Sequence, residues 1–538
     1  MTHPTLRRAL VVGAAFLLVA GCAQTKEDSN DAAAGLTVGT TDKVTSIDPA
    51  GSYDNGSFFV MNQVYPFLLN SKPGAADTTP ESDIAESASF TTPTEYTVKL
   101  KSGLKFVNGH DLTSSDVKFS FDRMVAIKDP NGPASLLYNL VSTAAPDATT
   151  IVFTLKNAND QIWPQILTSP AGPIVDEETF PADAKMADDA IVAAHPFAGP
   201  YDITSYSLNT LVSYKAFDGY QGLLGKPATA GVNVKYYADA NNMKLDVEQG
   251  NIDVALRSLS ATDIESLAKN DKVTVHEGPG GEIRYLVFNM DVMPFGAKTA
   301  EKDAAKAKAV RQAIANLIDR DAISTSVFKS TYSPLYSVVP DGQVSAGTQL
   351  KTLYGDGNGK PSLDKAKAVL EAAGVTTPVT LKLQYNPDHY GPSSGDEYAA
   401  LKTQIENGGL FTVDLQSTEW VQYSKQRSAD AYGIYQLGWF PDYSDPDNYL
   451  APFFTKDNFL VNHYDNAEVQ SLISAEATEG DAAKRLEILT KIQDIVADEL
   501  PTLPMQQGKQ LAVAGKDVKG VSETLDASFK VRLGTISK

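Results

Sequence analysis

The densest chemistry in the chain lies between Gly438 and Phe454. There Trp439, Phe440 and Tyr443 alternate with Asp442, Asp445 and Asp447, and Pro441, Pro446 and Pro452 interrupt the run. A carboxylate held among rings can pair with an ammonium, whereas a cation buried without a partner is costly. Asp442 is therefore expected to hold a cationic group of a small ligand. An ordinary Asp/Pro turn with surface aromatics accounts for the same window. Paired acids such as Asp442 and Asp445 could also serve a glycoside hydrolase, since two carboxylates can cleave sugars. No HExxH and no His/Cys metal spacing occurs in the sequence, so neither a metal nor a cofactor is expected. Gly355-Asp-Gly-Asn-Gly-Lys-Pro-Ser362 is too short for a phosphate loop and reads as a surface turn.

The strand before Asp442 must position it. Ala431 to Leu437 is rich in β-formers, and Pro441 cannot continue a ladder, so the chain should leave its sheet there. Asp442 then falls just past a strand end, where open α/β sheets carry ligands. Further strands are expected at Leu36–Thr40, Glu95–Lys101, Leu104–Val107, Ile151–Leu155, Leu211–Lys215, Arg284–Asn289 and Val379–Tyr385, from alternation and β-propensity. Helices are expected from Thr113, over Ala304–Ile323, over Pro361–Gly374 and over Ala482–Glu499. The last should bury Leu486, Leu489, Ile492 and Val496. Strands alternating with helices across 285–500 predict an α/β lobe.

A chain of 538 residues exceeds one hydrophobic core, so at least two lobes are expected. Hydrophobic residues at 42% and charged ones at 21% describe a globular protein, and a net charge of −20 excludes the basic footprint of a nucleic-acid binder. Arg7 and Arg8 precede an apolar run to Ala20, so residues 1–21 read as a secretion signal. The single cysteine, Cys22, follows it, and Leu18-Val-Ala-Gly-Cys22 resembles a lipobox, which implies lipidation at Cys22. Residues 22–35 read as a flexible tether, leaving the body water-soluble and anchored to the cell membrane.

Several ordered blocks resemble the extracellular solute-binding proteins of ABC importers for dipeptides, oligopeptides and nickel. They are Val98–Phe121, Gly199-Pro-Tyr201, Gly250-Asn-Ile-Asp253, Val310–Ile323, Lys365–Gly374 and Gly438–Pro446. The resemblance implies a two-lobed periplasmic-binding-protein fold of the large, three-subdomain type. Its expected division is lobe I at 36–72, 197–285 and 506–538, an inserted subdomain at 73–196, and lobe II at 286–505. It also implies that Asp442 pairs with a peptide's α-ammonium, with Gly438, Trp439, Phe440, Tyr443, Trp420, Arg427 and Asn55 around the ligand. Arg427 could equally be an exposed arginine paired with nearby acids. Gln436 stands where an oligopeptide-binding relative has a second arginine, which leaves the grip on the ligand's carboxylate open. The implied partners are a peptide, an ABC permease and its ATPase, for a monomer with no enzymatic step. An oligosaccharide, a nickel chelate or a signalling role are the alternatives.

Overall fold

The computed structural model describes residues 35–74, 79–257, 259–391, 393–456, 458–526 and 530–538. The expected leader, Cys22 and the tether up to Ala34 lie outside the described residues.

Alternating apolar residues build two large mixed sheets. The first has seven strands in the order Val273–Gly278, Gln510–Gly515, Val254–Leu256, Leu36–Thr40, Gly231–Tyr236, Leu211–Ala216, Tyr201–Ser207. Leu36–Thr40 lies at its centre, parallel to both neighbours. The second has six strands in the order Tyr332–Pro334, Thr502–Gly508, Ile283–Phe288, Ile434–Trp439, Val379–Tyr385, Phe411–Ser417. Every residue of Ile283–Phe288 is buried, as befits an inner strand covered on both faces. A four-stranded antiparallel sheet (Ala85–Thr92, Glu95–Leu100, Thr150–Leu155, Leu140–Asp147) forms a smaller body around Val98, Phe121, Phe153 and Trp163. The fold is thus mixed α/β in two lobes, with this third sheet beside them.

The chain crosses between the two large sheets at residues 279–282 and again at Lys509. The crossings touch: a Cβ on Gly280 would lie 1.8 Å from the Gly508 carbonyl oxygen, so only glycine fits. Gln507 Nε2 ties them further by donating to the Gly280 carbonyl at 2.7 Å.

Helix signals hold where a cap is present. Ser114–Ile127 starts on a capping box of Thr113 and Asp116, and Ala482–Glu499 starts on Asp481. Three expectations are corrected. The run expected as one helix over 304–323 forms two, Ala304–Leu317 and Arg320–Ser326, because Ile318 is extended and Asp319 caps a new start. Leu104–Val107 is no strand; Leu104 and Phe106 are buried, but the segment turns on a hydrogen bond from Phe106 N–H to the His110 carbonyl. Leu486 is 42% exposed rather than buried. Among the described residues no helix is long and apolar enough to cross a membrane.

Candidate functional site

A cavity of about 630 Å³ opens between the two large sheets. Such a volume lies within the range of roughly 300–1,000 Å³ usual for small-molecule sites. Its walls come from both lobes: Asp42, Asn55 and Arg257 on one side, Tyr390 and Phe440 on the other, with Glu282 and Lys509 of the two crossings between them.

The walls carry both signs of charge, each compensated locally. Arg257 Nη1 pairs with Asp42 at 3.1 Å, and Lys509 Nζ with Glu277 at 2.8 Å. Arg284 is buried, sits over the Phe328 and Tyr332 rings and donates to Glu397 at 3.2 Å and to the Tyr390 carbonyl. Glu282 accepts from the Tyr332 hydroxyl at 2.7 Å. Burial pushes the Glu397 carboxyl above its usual range, partly offset by Arg284.

Strand Ile434–Trp439 ends just before Phe440, which lines the cavity; Asp442 follows two residues on and is not itself among the lining residues. Asn448, six residues on, organises the turn. Its Oδ1 accepts from the Asp442 backbone N–H at 3.0 Å and from Trp439 Nε1 at 2.9 Å, while its Nδ2 donates to Asp442 Oδ2 at 3.4 Å. Asp442 Oδ1 accepts from the hydroxyl of Tyr53, a residue of the opposite lobe. Burial raises the Asp442 pKa, and the bonds from Tyr53 and Asn448 lower it in part.

The other expected residues fall into distinct places. Asn55 and Phe440 face the cavity. Gly438 does so indirectly: a Cβ there would lie 2.7 Å from Tyr390 Cε1, so the glycine lets that ring reach the wall. Trp439 packs edge-on against Phe453 and Phe459, both at 5.3 Å between centroids. Trp420 stacks on His389 at 3.8 Å and meets Tyr390 edge-on at 5.7 Å, so it buttresses the wall from behind. Tyr443 points into the four-stranded body and donates to Asp447 Oδ2 at 2.8 Å. Arg427 is only 6% exposed; its Nη1 donates to the Phe459 carbonyl at 3.1 Å, and its guanidinium lies over the Phe459 ring. It is not the exposed, acid-paired arginine weighed as one alternative.

Asp445 is committed elsewhere, since both its oxygens receive Arg485 at 2.9 and 2.7 Å. Sequence reasoning missed Tyr53 and Asn448. Their signal was proximity in sequence, Tyr53 two residues before Asn55 and Asn448 inside the same Asp-rich run, but the pairings need the folded chain. It missed a second cluster for the same reason: Asp291, Asp430 and His463 bring ligand atoms within 4.8 Å of one another, with the Lys298 ammonium paired to both aspartates.

The model of the bacterial extracellular solute-binding proteins, family 5, matches residues 79–460. The chain belongs to this family. Among its relatives, a dipeptide-binding protein of Bacillus subtilis is 24% identical, covering 95% of both chains. A glutathione-binding protein of Escherichia coli O157:H7 is also 24% identical, covering 98% of both. Solved structures share the fold. A substrate-binding protein of an ABC transporter from Listeria monocytogenes aligns with TM-score 0.77 at 22% identity over 93% of this chain and 98% of its own. A dipeptide-binding protein from Pseudoalteromonas in complex with Met-Leu aligns with TM-score 0.70 at 19% identity, over 94% and 100%.

Proposed function

We propose that this family 5 protein is the substrate-binding component of an ABC importer and takes short peptides by their free amino end. The observation that carries the proposal is Asp442. It is a single partly buried carboxylate at a strand end, turned by Asn448 and met from the other lobe by Tyr53. A charged ammonium placed there gains a charge-assisted hydrogen bond in a site from which closure removes bulk water. The cavity's mix of charged, polar and aromatic lining residues suits a ligand with both donors and acceptors and variable side chains. Relatives named for dipeptide and glutathione binding agree with this class of ligand.

The proposal extends to the whole molecule. Lobe I (36–72, 197–278 and 510–538, with the subdomain 73–196) closes on lobe II (283–508) about the two crossings, and the closed form is handed to a membrane permease. Cys22 anchors the protein to the membrane by lipid. Hydrolysis by an Asp442–Asp445 pair is disfavoured, because Asp445 is locked on Arg485.

Calorimetry against free tripeptides, oligosaccharides and nickel chelates tests the reading. Binding of tripeptides without their cleavage is expected. Saturable binding of the sugar or chelate with no response to peptides would overturn it.

A further inference from the structure

We propose that Tyr53 is a positioning residue for the ligand's amino group: carried by one lobe, it orients the Asp442 carboxylate of the other only when the lobes are together. The inference rests on the peptide reading above and adds a residue to it.

The carboxylate is held from two bodies. Asn448 Nδ2 donates to Oδ2 from within the same lobe, and the Tyr53 hydroxyl donates to Oδ1 from across the cleft. Each carboxylate oxygen accepts more than one hydrogen bond, so both contacts leave lone pairs for an ammonium with three N–H donors. The orientation of those lone pairs then depends on where Tyr53 stands.

Tyr53 is itself fixed. It directly precedes Asp54, the cap of helix Asn55–Val64, which accepts from Ser57 N–H at 2.8 Å and from the Thr45 hydroxyl at 2.5 Å. The backbone is pinned as well, since a Cβ on Gly56 would lie 2.1 Å from the Lys43 carbonyl oxygen. Two residues after Tyr53, Asn55 lines the cavity; two residues before Asp442, Phe440 lines it from the other lobe. The Tyr53–Asp442 contact therefore bridges the cleft beside the ligand's space.

A contact that merely latches the lobes shut would favour every ligand equally, because it stabilises one closed form whatever is inside. A contact that orients the carboxylate acts on the amine alone. The two roles separate in Tyr53→Phe, which keeps the ring and removes the hydroxyl. The probes are an equimolar tripeptide library and the same library N-acetylated, with bound fractions read by native mass spectrometry and thermal melting as the check on folding.

The wild type is expected to prefer the free-amine library. Tyr53→Phe should weaken free-amine binding about tenfold, the scale of one hydrogen bond to a charged group, and leave the acetylated library unchanged. In an Asp442→Asn background, Tyr53→Phe should have no further effect on the preference. Equal weakening of both libraries, or an unchanged preference in Tyr53→Phe, would overturn the role given to Tyr53 and leave Asp442 standing. A wild type with no preference for free amines would instead overturn the peptide-amine reading, and Tyr53's role with it.

Discussion

Asp442 owes its place to Asn448, and the two differ in what their loss should do. Asp442→Asn removes a charge from a half-buried group whose acid form burial already favours, so the fold should survive. Affinity for free-amine peptides should fall roughly 30-fold or more in calorimetry, since losing one partner of a desolvated charge pair costs about 2 kcal/mol or more. Arg427 should behave in the opposite way. Its guanidinium serves the Phe459 and Leu460 carbonyls, so Arg427→Met should cost about 2 kcal/mol in chemical denaturation, while peptide affinity stays within twofold. At this scale the sequence showed residue types better than partners. The aspartate past a proline-ended strand was legible because proline and β-propensity act locally. The Tyr53 hydroxyl that meets it comes from 389 positions away, and no local pattern encodes that.

Among the elements, identity was legible from alternation in strand Val379–Tyr385, and in helix Ala482–Glu499 where helical periodicity coincides with the Asp481 cap. It failed where one local rule hid another. The apolar spacing of Ala304–Ile323 continues through Ile318, and only Asp319, acting as an N-cap, marks the break. Leu104 and Phe106 alternate like a strand because both are buried, though their backbone pairs only through one bridge, Lys105 with Asp111. The paired crossings depend on a contact that sequence spacing cannot show. Gly280→Ala should force the two connections apart, destabilising the protein by about 1–3 kcal/mol, as overpacking does. It should also shrink the ligand-induced change in radius of gyration seen by small-angle scattering; an undiminished change would deny the crossings a hinge role.

In the whole molecule, acids are concentrated where the second large lobe meets the four-stranded body. Asp445, Asp447 and Glu476 crowd around Arg485, with Asp160 of the smaller body close by, and Gln161 N–H donates to the Ala477 carbonyl at 2.8 Å. Burial, then its charged neighbour Asp447, raises the Glu476 pKa well above the usual range, and burial likewise raises Asp447. The sign follows from proton counting. The folded chain keeps a proton there that the unfolded chain releases above about pH 4.5, so this cluster's stabilisation declines as pH rises beyond that point. Denaturation midpoints should therefore fall between mildly acidic and alkaline pH, and Glu476→Gln should flatten that fall. The overall architecture was legible from ordered blocks spread over most of the chain. The lobe-to-lobe contacts were not, because they join segments that share no local pattern.

The most direct measurement is a crystal structure with a bound tripeptide. The ligand's amino nitrogen should lie within about 3 Å of an Asp442 carboxylate oxygen, with the Tyr53 hydroxyl on the same carboxylate. An amino nitrogen seated on Glu282 or Asp42, with Asp442 turned to bulk water, would contradict the account.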